Sequence, residues 1–387
     1  MYRLAIASGS RADYGLLRPL INTLGRSGHF DIDLFVTGSH LSDDHGLTKN
    51  EICTKHLDNI HEIPCALGAT VDVAVSVAQI MTGVSEVLKS CKAKSIIILG
   101  DRFEAFAFAQ AAYYLSLPIF HLHGGEITTG SFDDGMRHCI TKMSSLHFTS
   151  NATYRERVIQ MGEHPSTVFN VGSLAVENAK NLNLLTKGEV ERRLKFALRR
   201  RNILITHHPV TNSNYYKQEI DQILTALGMI KQDLGLIFTS ANADPGGEEI
   251  NQKIKNFVKK SENAIFIDSM GSLLYLSTLS IVNGVIGNSS SGIYEAPLFG
   301  KWVLNVGPRQ NGRVRPGNVI DHQSDEHLVS VMKKLIEGVH PACRIGCSEI
   351  FGDGTTSSKI TEIILDTDIA KIKSKSFFDL GVRAQND

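Results

Sequence analysis

What this chain of 387 residues lacks narrows its function first. It has no excess of either charge: 40 Lys and Arg balance 40 Asp and Glu. No general field therefore draws it to nucleic acid or an anionic membrane, and any anion it binds needs local donors. Neither nucleic acid nor membrane is expected as a partner. Long hydrophobic runs are also missing. The opening MYRLAIASGSRADYG is apolar for only a few residues before Ser, Gly and Arg, too short for an export signal or a membrane span, and reads as a buried strand. The six cysteines are few and scattered, which fits a reduced, disulfide-free, cytoplasmic protein. Cys343 and Cys347 have no second Cys/His pair nearby, so no zinc is expected. The GxGxxG fingerprint, a Walker lysine and any solenoid repeat are absent as well, and no cofactor is expected.

What is present is an ordinary globular composition, 42% hydrophobic and 21% charged, over a length that implies two domains with a cleft between them. Near-continuous apolar strands alternate with helical segments: RLAIAS, DYGLLRPLINTLGRS, DIDLFVTG, KSIIILGD, FEAFAFAQAAYYLS and PIFHLHGG. That alternation marks a parallel sheet covered on both faces. After the charge-dense AVENAKNLNLLTKGEVERRLKFALRRRN the pattern restarts with NILITHHP, LGLIFTSAN, NAIFIDS, LSIVNGVIGNSS and KWVLNVG. We expect two Rossmann-like, doubly wound α/β domains facing a cleft, over 1–178 and 179–365. Residues 366–387 read as a polar, mobile tail. Ligands of such sheets bind beyond the carboxyl ends of the strands.

The unusual polar residues fall at those ends. After the first strand, Ser8 to Asp13 form a small-residue turn where Arg11 can grip an anion, although a capped turn explains the local pattern equally well. KSIIILG delivers Asp101, Arg102 and Glu104, a substrate-facing set or an ion pair at a helix start. The densest segment, PIFHLHGGEITTGSFDDGMRHCITK, holds His121, His123, Glu126, Asp133, Asp134, Arg137 and His138 around paired glycines. His121 and His123 would share a face only on a regular strand, and the following Gly-Gly argues for a turn. Acid/base work by Glu126 and Asp133 is therefore preferred to metal binding.

In the second half, THHP ends a strand with His207 and His208, and SANAD ends another with Asn242 and Asp244. The loop GNSSSG precedes a helix expected to begin near Ile293. Its N–H groups and the hydroxyls of Ser289 and Ser290 suit a diphosphate, and Glu295 suits ribose hydroxyls. Arg309, Arg313 and Arg315 follow on a Gly/Pro-rich loop and supply counter-charge, unless the loop is simply solvated.

Taken together, SRADYG, GSHLSDDHG, GDRFEAFA, HGGE with FDDGMRHCITK, HHPVT, GNSSSGIYE and GPRQNGRVRPGNVI resemble the hydrolysing UDP-N-acetylglucosamine 2-epimerases, including the sialic and legionaminic acid pathway enzymes, over nearly the whole chain. The resemblance implies a GT-B-like fold, no nicotinamide, and a homodimer or homotetramer. It also implies elimination of UDP to a 2-acetamidoglucal, then hydration to the 2-epimerised free sugar. It assigns acid/base roles to Asp101, Glu126 and Asp133, places His208 near the scissile phosphate, makes Arg11, Ser289, Ser290 and Arg313 diphosphate ligands, and sets Glu295 on the ribose. Arg102 and Asn242 join the substrate-binding set. Several relatives carry glutamate where this chain has His123, so either Glu126 supplies that carboxylate or His123 itself titrates. The sugar is N-acetylglucosamine or a 2,4-diacetamido-2,4,6-trideoxy analogue, and a UDP-sugar-binding protein without chemistry is the competing class.

Overall fold

The structure, a computed structural model, describes residues 1–381 except 44–45, 69–70, 130, 211–215, 231–232, 243–245, 323–327 and 339–346. The chain divides into two compact units. One comprises Met1–Glu126, Asp133–Asn178 and Phe351–Asp387, and the other Ile127–Phe132 and Ala179–Ile350.

The first unit holds strands β1 (Tyr2–Ser8), β2 (Phe30–Val36), β3 (Asn59–Glu62), β4 (Ser95–Leu99), β5 (Ile119–Leu122), β6 (Leu146–Thr149) and β7 (Val168–Asn170). They form one parallel sheet in the order β3-β2-β1-β4-β5-β6-β7. Its helices begin with α1 (Arg11–Ser27), α2 (Val73–Cys91), α3 (Phe103–Tyr114), α4 (Asp133–Met143), α5 (Ala152–Gln160) and α6 (Leu174–Asn181). Alternation along β1 sorts the core into two layers. Leu4 and Ile6 pack with Leu17, Leu20 and Leu24 of α1, whereas Ala5 and Ala7 pack with Ile80 and Val84 of α2 and Phe108 of α3. Small alanines on that second face leave room for α3, whose FEAFAFAQAAYY is apolar on every side.

The second unit starts with α7 (Lys187–Leu194) and repeats the plan with β8 (Arg201–Thr206), β9 (Leu234–Thr239), β10 (Ala264–Ile267), β11 (Gly284–Gly287), β12 (Trp302–Val306) and β13 (Val319–His322). The parallel order is β10-β9-β8-β11-β12-β13. Helices α8 (Tyr216–Met229), α9 (Gly247–Val258), α10 (Gly271–Ile281), α11 (Ser291–Tyr294) and α12 (Leu328–Ile336) belong to it. Ile203 and Ile205 face α8, α9 and α12, and Leu204 faces α7 and α10. In both sheets the order reverses between the first strand and the fourth, and the loops at that switch point are where such sheets bind ligands.

Two expectations need correction. Helix α13 (Cys347–Phe351) leads into α14 (Thr356–Asp366), which packs on α1, with Ile360 and Ile364 in the first unit's core. The segment assigned to the second domain up to 365 thus completes the first unit. The residues after 366 are not a loose tail as far as they are described. The Lys375 ammonium reaches both oxygens of the buried Glu163 carboxylate at 3.0 and 2.8 Å and the Ser144 carbonyl at 2.9 Å. The Phe378 N–H donates to the Gly162 carbonyl at 3.0 Å. The Phe377 ring, although 65% exposed, lies across Gly162 too closely for any Cβ, and Ile369 and Ile372 pack on the first unit's core. Apolar and charged anchors therefore dock a segment whose composition alone reads as polar.

Candidate active site

At the first switch point the expected anion grip is spent internally. Ser10 caps α1 by accepting the Asp13 N–H at 3.3 Å, and the Asp13 carboxylate accepts the Gly9 N–H at 3.3 Å. The Arg11 guanidinium pairs with Glu51 at 3.0 Å. Beside them Glu104 is buried and takes the Arg102 guanidinium at 3.2 Å, leaving Arg102 partly exposed. Desolvation raises both the Asp13 and the Glu104 carboxyl, against the pull of Arg102. Gly9 is required here, because a Cβ would stand 2.9 Å from the Glu104 Cβ. His40 of the GSHL turn is a structural bridge from Ser8 at 2.8 Å to Thr48 at 3.0 Å, held neutral by burial at about 4.

The His-Gly-Gly-Glu loop breaks the strand alternation as expected. His123 adopts φ 63°, so the two histidines diverge. His121 is fully buried between the Thr141 hydroxyl at 3.1 Å and the Gly100 carbonyl at 2.8 Å, and desolvation lowers it to about 3. It is a neutral strut, not part of the acid/base set. His123 Nδ1 instead lies 3.5 Å from Glu126 Oε1, and the two side chains are only 14% and 5% exposed. Gly125 permits this turn at φ 80°, where a Cβ would meet the Tyr154 carbonyl at 2.4 Å.

Arg137 organises the remaining carboxylates. It sits one turn into α4, is 2% exposed, and contacts Asp101, Asp134 at 2.9 Å and the Glu126 carbonyl at 3.0 Å. Asp101, after β4, and Glu126, after β5, are thereby tied to one guanidinium. Asp133 opens α4 and is half-buried. The sequence displayed Arg137 but gave it no role. Its position three residues beyond Asp134 on a helix was the available signal. Among the described residues no His/Cys/Asp/Glu group could hold a metal. Cys343 and the side chain of Cys347 lie outside what is described, as do Thr211 and Asp244.

The second unit's switch point gathers THHP and GNSSSG. The His208 N–H donates to Asn288 Oδ1 at 2.7 Å, and the Asn288 amide donates back to the His208 carbonyl at 2.8 Å. His208 Nδ1 accepts the Asn242 backbone N–H at 3.0 Å. Desolvation, then the charge of Arg309 and the neighbouring His207, hold the His208 imidazole well below its ordinary value. His207 is buried 3.1 Å from Glu219. Gly287, at φ 130°, passes so close to the Thr206 carbonyl that no side chain fits.

The helix after this loop begins at Ser291, close to the expected Ile293, and is a single turn, because Pro297 opens a separate 3-10 turn from Ala296. A one-turn helix has little dipole, so an anion at this loop would depend on the donors of Ser289, Ser290 and the loop backbone. The Ser291 hydroxyl accepts from Tyr275 at 2.8 Å. Desolvation raises the half-buried Glu295 carboxyl to about 7 despite a hydrogen bond from Ser291. Arg313 donates to Gln310 at 2.8 Å and lies 3.4 Å from the Thr128 hydroxyl, whereas Arg315 is committed to Asp321 at 2.9 Å.

Comparison with known proteins bears on this geometry. A profile of the UDP-N-acetylglucosamine 2-epimerase family matches residues 22–365. A Campylobacter jejuni protein named GDP/UDP-N,N'-diacetylbacillosamine 2-epimerase (hydrolyzing) is 39% identical over 337 residues, covering 86% of this chain and 87% of its own. The polysialic acid biosynthesis protein P7 of Escherichia coli is 36% identical over 331 residues, covering 85% and 84%. Among solved structures, S. aureus MnaA with UDP superimposes with a TM-score of 0.76 at 19% identity, covering 98% of this chain and all of that one. The fold is thus the one expected, two Rossmann-like parallel α/β units of GT-B-like kind.

Proposed function

Since the chain belongs to the UDP-N-acetylglucosamine 2-epimerase family and is a hydrolysing UDP-sugar 2-epimerase, we propose that it removes UDP from a UDP-2-acetamido sugar and releases the free 2-epimer. The observation that carries this is the buried His123–Glu126 pair, 3.5 Å apart, with Asp101 fixed to the same first-unit loops through Arg137.

The chemistry has two halves. A base takes the C2 proton while the C1–O bond breaks, and the electron pair of the C–H bond becomes the C1–C2 double bond of a 2-acetamidoglucal. UDP leaves with the electrons of the C1–O bond. Water then adds its hydroxyl to C1, and a proton reaches C2 from the opposite face, which inverts that centre. Carboxylates in different surroundings divide these proton transfers. Glu126 with His123 is the pair best placed for C2. Asp101, paired with Arg137, and Asp133 serve the second transfer. On the second unit, Ser289, Ser290 and Arg313 take the diphosphate, Glu295 the ribose, and His208 donates to the departing phosphate. Arg11, Arg102 and Asn242 complete the substrate-binding set. The internal pairing of Arg11 with Glu51 makes Arg11 the weakest of them.

For the sugar, the 39% relative favours UDP-2,4-diacetamido-2,4,6-trideoxyglucose, which is UDP-N,N'-diacetylbacillosamine. A Neisseria meningitidis relative named UDP-N-acetylglucosamine 2-epimerase, 28% identical over 389 residues, favours UDP-N-acetylglucosamine and release of N-acetylmannosamine. The test is incubation with each nucleotide sugar in deuterated water, followed by proton NMR. The reading expects UDP and a free 2-epimer deuterated at C2 from one of them. Both substrates returned intact would sink it in favour of a binding protein. The enzyme is read as a cytoplasmic homodimer or homotetramer, which sedimentation velocity checks. A monomer at micromolar concentration would contradict that. No helix among the described residues is long and apolar enough to cross a membrane.

A further inference from the structure

We infer that Asn288 is the positioning residue of the UDP site, an amide that locks three loops together and fixes His208 as an Nε2–H donor. The inference rests on the functional reading above and adds a residue to it. Asn288 is fully buried, yet all of its polar groups are engaged. Its side chain makes the two-way bond with the His208 backbone at 2.7 and 2.8 Å. Its own N–H donates to the Thr206 carbonyl at 3.1 Å, continuing the β8–β11 pairing past the last strand residue. Its carbonyl receives Gln310 at 2.6 Å and Arg309 at 3.2 Å. Gln310 is 1% exposed and holds Arg313 at 2.8 Å. One residue thus joins the THHP loop, the serine loop and the arginine loop, the three segments proposed to hold the diphosphate.

The consequence for His208 follows from donor and acceptor rules. Nδ1 accepts the Asn242 N–H at 3.0 Å, so that nitrogen carries a lone pair. A neutral ring must then bear its proton on Nε2. Burial beside Arg309 keeps the ring neutral. His208 is therefore a fixed donor toward phosphate oxygen and does not cycle its proton. The backbone bonds from Asn288 hold the ring where Asn242 can reach it, as an outer partner orients a ligating histidine. Only a side chain with one donor and one acceptor, sized to span the two loops, can make both bonds. An alanine leaves the His208 N–H and C=O buried without those partners.

The test uses the full-length protein with UDP as the probe. Wild type, Asn288→Ala and Asn288→Asp are compared by titration calorimetry, and ring nitrogen-15 shifts of His208 are read in histidine-labelled protein, assigned with His208→Gln. The wild type is expected to bind UDP with His208 protonated on Nε2. Asn288→Ala is expected to weaken UDP by about tenfold or more, and to show His208 as a mixture of tautomers. Asn288→Asp keeps the acceptor but loses the donor, and should fall between the two. A wild-type ring protonated on Nδ1 overturns the inference whether or not the variants fold. So does a folded Asn288→Ala that binds UDP as wild type does with its tautomer unchanged, and that result leaves the epimerase reading standing. A wild type that binds no UDP instead removes the reading on which the inference rests.

Discussion

Glu126 and Glu295 are both glutamates of the proposed site, yet their surroundings differ. Glu126 is 5% exposed and faces His123, so replacing it with glutamine keeps the shape and removes the proton acceptor. Glu126→Gln is expected to lower kcat by about 10²–10⁴-fold, with calorimetric UDP affinity unchanged. Weakened UDP binding with kcat intact would reverse that assignment. Glu295 is raised to about 7 by desolvation, so it titrates in the neutral range. Ribose hydroxyls donate best to the ionised form, and UDP affinity is expected to rise as pH climbs through about 7 and then level off. Stability moves the other way. Between 4.5, its ordinary value, and about 7, the folded carboxyl keeps a proton that the unfolded one has lost. Its contribution is full below 4.5 and disappears as pH rises through about 7. Glu295→Gln should flatten both profiles, read by calorimetry and by melting temperature against pH. A UDP affinity that falls across this range assigns the ribose to another group.

Among the elements, the C-terminal strap of residues 367–381 does the least expected work. It crosses to α4 and β6 through Glu163, which also receives Lys142 at 2.5 Å and His147 at 3.1 Å. Burial would raise the Glu163 carboxyl, but these hydrogen bonds and charges prevail and hold it down at about 2. His147 is kept neutral by its own desolvation, so the ammonium groups of Lys142 and Lys375 supply the positive charge. A depressed carboxyl contributes stability above 4.5 that is lost as pH falls toward about 2. Because α4 also carries Arg137, Lys375→Met, which leaves Glu163 with Lys142 and His147, is expected to destabilise the first unit by about 1 kcal/mol and to lower kcat more than it weakens UDP binding. Thermal melts and single-turnover assays check this, and wild-type values for both would make the strap ornamental.

Elements also show where sequence reading works. The central strands were legible because RLAIAS, SIIIL and NILIT are continuous apolar runs, and a strand buried on both faces requires such runs. Strands β3, β6, β7 and β13 were not foreseen: β6 (LHFT) is a buried interior strand, but only four residues long and interrupted by a histidine, and the other three lie at sheet edges. NIHE, VFN and VIDH are edge strands of three or four residues with polar faces, and they carry no such signal. The same contrast holds in the site. The turn at His123 was readable from Gly-Gly, whereas Asn288 acts through bonds to a residue 80 positions away, a distance that no local pattern reports. Arg137 was visible as a charge but not as a hub, because Asp101 and the Glu126 carbonyl come from two separate loops and only Asp134 is its neighbour on the same helix.

At the scale of the whole molecule, each unit has its own sheet and its own pair of hydrophobic layers. Two cores of this kind are expected to unfold in two resolvable steps in a calorimetric scan. Apart from Arg11 and Arg102, the proposed UDP contacts lie on the second unit. Saturating UDP, at about 100 times its Kd, should therefore raise that unit's transition by about 2.7 kcal/mol and leave the other nearly unmoved. An equal shift of both would mean that the units unfold together.

The first unit's sheet is finished within its first 178 residues, but the helix that seals one of its faces comes only at Thr356–Asp366. During synthesis its chain therefore leaves the ribosome long before it can close. Leu17, Leu20 and Leu24 of α1 wait for Ile360 and Ile364 while the whole second unit is made. A nascent chain stalled before residue 356 carries that open apolar face, which is the surface a holding chaperone recognises. A ribosome-bound chain lengthened past Ile364 should lose it abruptly.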